Sequence, residues 1–205
     1  FQLAVCEKVK AEMNKGVNAR NIKLTPEEKI SLQDCNLLTI KPVLFCMNVD
    51  EASCVNGNEL SAKVKAYADK LHAQSVVISG KIEMELIEME PEDRTAFLSD
   101  LGLSSSGLDR LIKAGYEALD LITYFTCGPE ETHAWTIKRG TLAPQAAGVI
   151  HTDFEKGFIR AEVYGYKDLV AAGSESKAKE AGKLRLEGKE YTVTDGDLMH
   201  FRFSV

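Results

Sequence analysis

Two short apolar runs decide the fold: PVLFCM at residues 42–47 and SVVI at residues 75–78. The first run is followed at once by the polar NVDE at residues 48–51, and the second by SGK at residues 79–81. Short runs that are apolar throughout are typical of strands buried on both faces of a sheet. The sequence therefore predicts two buried strands, each with a polar loop directly behind it.

The segment between the two runs carries a helical pattern. Its apolar residues recur at spacings of 4, 3 and 4, at Leu60, Val64, Tyr67 and Leu71. A strand, a helix and a strand within about 40 residues form one crossover, so the two strands are expected to be parallel. In open α/β sheets, ligands bind beyond the carboxyl ends of such strands. Residues 48–51 and 79–81 are therefore the first candidates for a site.

The two loops carry residue types that suit a purine base. Asn48 supplies a donor and an acceptor together, and the acidic Glu51 can accept from the N–H groups of a base. Backbone N–H groups of the turn Ser79-Gly80-Lys81 can donate to ring oxygen or nitrogen atoms. This pattern predicts half of a base-binding site. The pattern leaves open the alternative that Asn48 and Glu51 only cap a turn and a helix entry.

A phosphate-binding loop is absent from the sequence. No GxxxxGK[ST] motif occurs, and the one pair with the glycine spacing, Gly102 and Gly107, is followed by Leu108 instead of lysine. We therefore expect no self-sufficient phosphoryl-transfer site in this chain, and no catalytic residue.

Composition limits the class of protein and its partners. The 205 residues carry a formal net charge of −6, and 44% are apolar and 27% charged, as in ordinary globular domains. The acidic balance argues against non-specific binding to nucleic acid, and no apolar run reaches the ~18–20 residues of a membrane span. The five cysteines include no CxxC pair, which predicts reduced thiols and no metal site. We expect a soluble, cytoplasmic protein that binds neither DNA nor membrane.

The first 38 residues are predicted to be helical. A first helix, stopped by Gly16, is indicated by the spacing of Leu3, Cys6, Val9 and Met13. Thr25 and Glu28 have the spacing of a capping box that opens a second helix. This helix is expected to end before Pro42 and to carry Ile30, Leu37 and Leu38. The chain begins with Phe1 rather than methionine, so we expect it to be part of a longer one.

A change in pattern near residues 119–121 predicts a second domain. Before it, the acidic residues 81–100 are expected to form a solvated helix face, and a helix that opens at Ser106 is expected to bury Leu108, Leu111, Ile112 and Leu119. After it, an α+β domain is predicted by six short β-type runs at residues 121–126, 134–137, 158–164, 184–186, 191–194 and 198–205. Short helices are expected near residues 142–148 and 175–181.

Three longer motifs resemble the Obg-like ATPase (YchF) family of P-loop NTPases. They lie at residues 37–51, from LLTIKP to NVDE, at residues 134–148, AWTIKRGT with APQAAG, and at residues 151–159, HTDFEKGFI. The resemblance covers essentially the whole chain and implies a C-terminal fragment that lacks the P-loop half. It implies an α/β part followed by an α+β part: a helical coiled-coil arm at 1–38, the second half of the parallel-sheet nucleotide-binding domain at 39–119, and a β-grasp TGS domain at 120–205.

The resemblance also implies roles for the two loops. Asn48 and Glu51 match the family's NxxE motif, which stands where related GTPases have NKxD, and the longer Glu implies a weaker preference for guanine. Val49 is implied to pack its backbone against the base. The second base-contacting loop is matched by Ser79, Gly80 and Lys81. The implied ligand is ATP or GTP with Mg²⁺ in the parent protein, whose P-loop lies upstream, so we expect no cofactor to be bound by this chain alone.

Other polar residues have a structural interpretation beside the functional one. Residues 177–189 contain five basic and two acidic side chains, a local charge of +3, so Lys183 and Arg185 are weak candidates for RNA binding. A solvated face explains the same charges. His151, Asp153 and Glu155 suggest acid–base chemistry, but a network within a loop explains them better.

We therefore predict part of an Obg-like ATPase that binds ATP or GTP and hydrolyses it by positioning a water against the γ-phosphate. The expected partners are the nucleotide and the ribosome or RNA. The alternative is a non-catalytic module that binds RNA or the ribosome through the TGS domain.

Overall fold

The computed structural model describes residues 1–128 and 131–204. It contains two compact units, Phe1–Ala118 and Leu119–Val205, and each has hydrophobic clusters of its own. The division falls beside the change in pattern at residues 119–121. The predicted run at 198–205 ends on Val205, which lies outside the described residues.

The first unit is organised around two parallel strands. β1 (Leu44–Asn48) pairs with β2 (Gln74–Ile78) in register, from Leu44 opposite Gln74 to Asn48 opposite Ile78. α3 (Glu59–Lys70) connects them and opens with a capping box formed by the residues just before it and in its first turn. The predicted parallel crossover is thus confirmed. Both strands end at the same edge of the sheet, which places the two polar loops side by side.

The prediction that the first strand, at residues 42–47, is buried on both faces is wrong for the described residues. Met47 in β1 and Val76 in β2 are buried, whereas Cys46 is exposed. In the described sheet each strand has one hydrogen-bonded neighbour, so each has an uncovered edge. Leu60, from the apolar stripe of α3, is also 71% exposed.

Three helices follow β2: α4 (Gly80–Glu88), α5 (Pro91–Asp100) and α6 (Gly107–Ala118). The acidic stretch forms two helices rather than one face, because Pro91 starts a new helix at its first position. One of the acids, Glu83, is not simply solvated. Its carboxylate accepts from the backbone N–H groups of Gly107 at 2.7 Å and Leu108 at 3.1 Å and so caps α6.

The burial predicted for α6 is largely wrong. The helix opens as predicted, with the Ser106 hydroxyl accepting from the Asp109 N–H at 3.0 Å. Leu108 and Ile112 are each 51% exposed, and Leu119 is 46% exposed, whereas the small Ala114 is buried. The spacing of the large apolar residues gives the apolar face of the helix but not what covers that face.

The amino-terminal segment contains a shorter second helix than predicted. α1 (Gln2–Met13) forms as expected, and α2 (Pro26–Ser31) opens with the Thr25 and Glu28 capping box, but α2 ends at Ser31. Asn36 has a φ of 46°, in the left-handed region, which a continuing helix cannot contain. The chain therefore proceeds in two 3₁₀ turns, and its core is formed by Val5, Val9, Ala19, Ile22 and Leu32.

The second unit contains a five-stranded mixed sheet in the order β4-β3-β7-β5-β6. Its strands are β3 (Leu121–Cys127), β4 (Thr132–Lys138), β5 (Phe158–Gly165), β6 (Arg185–Glu187) and β7 (Asp197–Phe203). The first and last strands, β3 and β7, are parallel neighbours near the middle, and the other pairs are antiparallel. One core cluster includes Tyr124, Val163 and Met199. A second cluster is built on Tyr164 and Leu198, whose side chains point to the other face.

The helices of the second unit are α7 (Ala143–Ile150), α8 (Thr152–Lys156), α9 (Tyr166–Ala172) and α10 (Glu175–Glu180). α7 and α10 correspond to the two predicted short helices, while α8 and α9 were not predicted. The strand predicted at residues 191–194 is wrong. That segment forms a single bridge, between Leu142 and Thr192. Its end residues, Tyr191 and Thr194, are held by the Asp197 side chain instead of by a strand ladder.

Asp197 is a buried carboxylate that fixes this segment. The residue is 3% exposed. One carboxylate oxygen accepts from the Tyr191 hydroxyl at 2.7 Å and from the Thr194 N–H at 2.9 Å. The Arg185 guanidinium donates to the other oxygen at 2.9 Å. A buried charge with three donors is stable, whereas each donor would lose its partner if the carboxylate were removed.

We predict that Asp197→Ala lowers the free energy of unfolding of the second unit by roughly 2–4 kcal/mol, because it orphans two neutral donors and one cation. Urea denaturation followed by the fluorescence of Trp135 measures the change. Asp168→Ala is the matched control, since Asp168 pairs with Lys183 at the surface at 3.0 Å and should cost less than about 1 kcal/mol. Equal losses in the two variants would contradict the role given to Asp197.

Candidate binding site at the carboxyl ends of two parallel strands

A hydrogen bond joins the two polar loops. The Asn48 Oδ1, at the end of β1, accepts from the backbone N–H of Gly80, at the start of α4, at 2.9 Å. The β ladder continues one step further, because the Val49 N–H donates to the Ile78 carbonyl at 2.9 Å. The bond uses only the carbonyl oxygen of the Asn48 side chain, so the amide NH₂ remains a donor for a ligand.

Asp50 supplies the local cap in the first loop. Its carboxylate accepts from the Ser53 N–H at 2.9 Å and opens the 3₁₀ turn Glu51–Ser53. The alternative that Asn48 and Glu51 cap the turn is therefore not needed to explain the loop: Asn48 binds the other loop and Asp50 does the capping. Asp50 is not among the residues predicted from the sequence, although an Asp directly before a helical turn is a recognisable capping signal.

Glu51 and Lys81 form an ion pair across the two loops. The Lys81 side chain is 70% exposed and that of Glu51 is 46% exposed, so both remain accessible from solvent. The hydrogen bond and the charge of Glu51 raise the pKa of the Lys81 ammonium, which stays protonated. The pair therefore offers an acceptor and a donor side by side, at the edge where β1 and β2 end.

Ser79 occupies a buried position at the end of β2. The residue is 3% exposed and directly precedes α4, and its Oγ has no hydrogen-bond partner within the described residues. A buried hydroxyl without a partner costs about 1–3 kcal/mol, so such groups usually have a reason to persist. The first turn of α4 also has N–H groups without an acceptor inside the helix. That of Gly80 is bound by Asn48, and those that follow it can donate to a ligand or a water molecule.

A groove of about 230 Å³ lies next to the first loop. It runs along β1 and the start of α3, and its lining is part polar and part apolar: Phe45, Cys46, Met47, Asn48, Val49, Asn58, Leu60, Ser61 and Val64. Asn48 and Val49 thus face a cavity, whereas Ser79, Gly80 and Lys81 are not among its walls. All six predicted residues lie at one edge of the sheet: Asn48, Val49, Glu51, Ser79, Gly80 and Lys81. They surround the hydrogen bond between the two loops rather than one closed pocket.

The described residues do not form a metal site. Within residues 1–128 and 131–204, no group of three or more His, Cys, Asp or Glu side chains is placed to hold an ion. The same residues include no helix that is long and apolar enough to cross a membrane.

In the second unit, the two weak candidates for RNA binding make structural contacts. Lys183 pairs with Asp168 at 3.0 Å, and Arg185 pairs with the buried Asp197 at 2.9 Å and with Glu187 at 3.4 Å. Both cations are thus partly neutralised within the unit. Arg185 also stacks over the Tyr191 ring at 5.3 Å, which makes it part of the Asp197 network.

His151 and Asp153 form a local contact at the start of α8. The His151 Nδ1 accepts from the backbone N–H of Asp153 at 3.2 Å and caps the helix. The two side chains are 59% and 47% exposed. A loop network, rather than acid–base chemistry, accounts for these residues.

Comparison with known proteins finds relatives that match this chain over its full length. Residues 121–204 match the family described as "YchF-GTPase_C: Protein of unknown function (DUF933)". "Ribosome-binding ATPase YchF" of Bacillus subtilis (strain 168) is 49% identical over 207 residues, covering 100% of this chain and 57% of the relative. "Obg-like ATPase 1" of Pongo abelii is 46% identical over 170 residues, covering 82% of this chain and 43% of the relative. The chain spans about half the length of the curated relatives it matches.

Solved structures agree with these relatives. A structure described as the Schizosaccharomyces pombe YchF GTPase matches with a TM-score of 0.82 and 36% identity, over 97% of this chain and 53% of that one. A GTP binding protein from Pyrococcus horikoshii OT3 matches with a TM-score of 0.58 at 18% identity, over 95% of this chain and 55% of that one, a likeness that shows the fold alone.

We predict that Asn48→Ala speeds hydrogen exchange at the Gly80 amide by up to about tenfold, because it removes the acceptor that holds this N–H. Exchange measured by NMR on this chain tests the contact directly. Asn14→Ala, which changes an exposed residue after α1, is the control. In this variant the Gly80 amide should exchange at the same rate as in the unsubstituted chain. Unchanged exchange in Asn48→Ala would show that the bond does not hold the two loops together.

Proposed function

Since this chain belongs to the Obg-like ATPase (YchF) family, we propose that it supplies the purine-recognition loops of a protein that binds and hydrolyses ATP, with GTP as an alternative substrate. The observation that carries the proposal is the 2.9 Å bond from the Gly80 N–H to Asn48 Oδ1. It holds the NxxE segment, Asn48 to Glu51, against the turn Ser79-Gly80-Lys81. A base that enters this edge meets both segments at once.

Each loop residue has a chemical role in this proposal. The free NH₂ of Asn48 donates to a ring nitrogen, and the backbone of Val49, which is tied to β2, forms a flat support for the base. Glu51 accepts from exocyclic or ring N–H groups. The backbone N–H groups that follow Gly80 in the first turn of α4 supply further donors.

Hydrolysis requires parts that this sequence does not supply. It has no GxxxxGK[ST] loop and therefore lacks the Ser or Thr hydroxyl of that loop, which holds Mg²⁺ in P-loop proteins, so the residues present do not fit the metal. We place the phosphate loop and Mg²⁺ in the preceding segment of the parent protein. The contribution of this chain is to bind and orient the base, which fixes where the γ-phosphate lies relative to that segment.

The second unit is proposed to be a β-grasp TGS domain that contacts the ribosome or RNA. Its strand order, with β3 and β7 parallel and adjacent in the middle and a hairpin on one side, supports a β-grasp arrangement. The name "Ribosome-binding ATPase YchF" borne by several relatives supports the partner. A parent protein that binds the ribosome would work in the cytoplasm. We propose residues 1–38, which contain α1 and α2, as the returning part of a helical arm.

Calorimetric titration with ATP and with GTP, each with Mg²⁺, tests the main proposal. The titrations use this chain and a version extended at its amino-terminal end to the length of its relatives. We expect no binding by this chain and binding by the extended protein, with ATP at least as tight as GTP. Absence of binding by the extended protein would refute the nucleotide proposal and leave the ribosome-binding module as the function.

Asn48→Ala should raise the Kd of the extended protein for ATP by roughly three- to tenfold, because it removes one donor to the base and loosens the Gly80 turn. The same titration of Asn14→Ala should give the parental Kd. An unaltered Kd in Asn48→Ala, with the fold intact by circular dichroism, would remove Asn48 from the site.

A second candidate function is a non-catalytic ribosome- or RNA-binding module, favoured by the basic stretch around Lys183. If Lys183 contacts phosphate, Lys183→Ala should weaken association with ribosomes and lower the salt slope of log Kobs by about 1. Asp168→Asn is the matched change in the opposite direction, since it releases Lys183 from its partner at 3.0 Å and should tighten association. Identical binding by the parent and both variants, in co-sedimentation across a salt series, would exclude this face.

A further inference from the structure

The Glu51–Lys81 ion pair joins two elements, as Lys8–Glu28 joins α1 and α2, and so differs from the pairs that form along one helix. Lys65 and Asp69 lie one turn apart on α3, so their contact follows from the helix alone. Glu51 and Lys81 are 30 positions apart and come from different loops, at the edge proposed to receive the base. Their contact therefore depends on how the two loops are joined.

The backbones on both sides of the pair are fixed. Glu51 begins a 3₁₀ turn that is capped by Asp50, and Lys81 follows Gly80, whose N–H is bound by Asn48 at 2.9 Å. The Lys81 ammonium also feels the charge of Glu85 on the next turn of α4, more weakly than that of Glu51. Because both backbones are held, the ammonium and the carboxylate are close enough to pair before a ligand arrives.

The two purines present opposite edges to such a pair. Guanine offers two donors, its N1–H and its 2-amino group, and a lone carboxylate matches both. Adenine offers a donor, its 6-amino group, beside an acceptor, N1, and a lone carboxylate repels that acceptor. A carboxylate with an ammonium beside it has an acceptor and a donor together, which complements the adenine edge and removes the repulsion.

We propose that Lys81 is the residue that sets the purine selectivity of this site, by neutralising Glu51 and presenting a donor next to it. The inference rests on the proposed function and adds the means of selection to it. The length of the glutamate side chain is then not sufficient to admit adenine. What admits adenine is the cation that the second loop places against the carboxylate.

The test measures the selectivity ratio, Kd for ATP divided by Kd for GTP, on the amino-terminally extended protein. Lys81→Met keeps the length of the side chain and removes its charge, and we expect the ratio to rise by about tenfold in favour of GTP. Lys65→Met is the matched control, because it removes the exposed cation of the Lys65–Asp69 pair on α3, and it should leave the ratio unchanged. Both lysines are exposed, so neither change removes core packing.

The same substitution made together with Glu51→Gln shows whether Lys81 acts through the Glu51 carboxylate. In Glu51→Gln no carboxylate charge remains to be neutralised, and the side-chain amide itself supplies an acceptor and a donor. Adding Lys81→Met should therefore change the ratio by less than about twofold. If the parent binds nucleotide and Lys81→Met leaves the ratio unaltered, this inference is overturned while the proposed function stands. If the extended parent binds no nucleotide at all, the proposed function fails and the inference fails with it.

Discussion

The arrangement of the two loops depends on one contact, the hydrogen bond between the Asn48 side chain and the Gly80 backbone at 2.9 Å. Parallel pairing of β1 and β2 brings the two strand ends to the same edge, but pairing alone does not lock the loops that follow. The side-chain amide does so, because it reaches from the last residue of one strand to the first turn of the helix behind the other. The position of Glu51 relative to Lys81, and the buried position of the unpaired Ser79 hydroxyl, follow from this link.

The same contact explains how one residue can serve both the fold and the site. A side-chain amide has an acceptor and a donor group, and the fold uses the acceptor. Asp50 performs the local capping that Asn48 and Glu51 would otherwise provide, which leaves Glu51 free to face Lys81. Structural and ligand-facing roles are thus divided among neighbours within four consecutive positions.

The sequence predicted the elements that depend on local patterns. The parallel crossover around α3, the capping box at Thr25 and the opening of α6 at Ser106 follow from spacing and composition over a few residues. The failures concern contacts and backbone conformations that a hydrophobic pattern does not encode. α2 ends at Ser31 and is followed by the left-handed Asn36, and residues 191–194 are held by the Asp197 side chain rather than by a strand. In the site, the loops could be found from their motifs, but the Glu51–Lys81 pair could not, because it depends on a loop contact across 30 positions.

The proposed function requires that the two loops bind one base together. Chemical-shift mapping of the amino-terminally extended protein during titration with ATP and Mg²⁺ measures this. Among the residues of this chain, we expect the largest amide shifts at Val49, Gly80 and Lys81, all with one common Kd. Shifts confined to one loop, or centred on residues outside residues 48–51 and 79–81, would show that the two loops do not bind the base together.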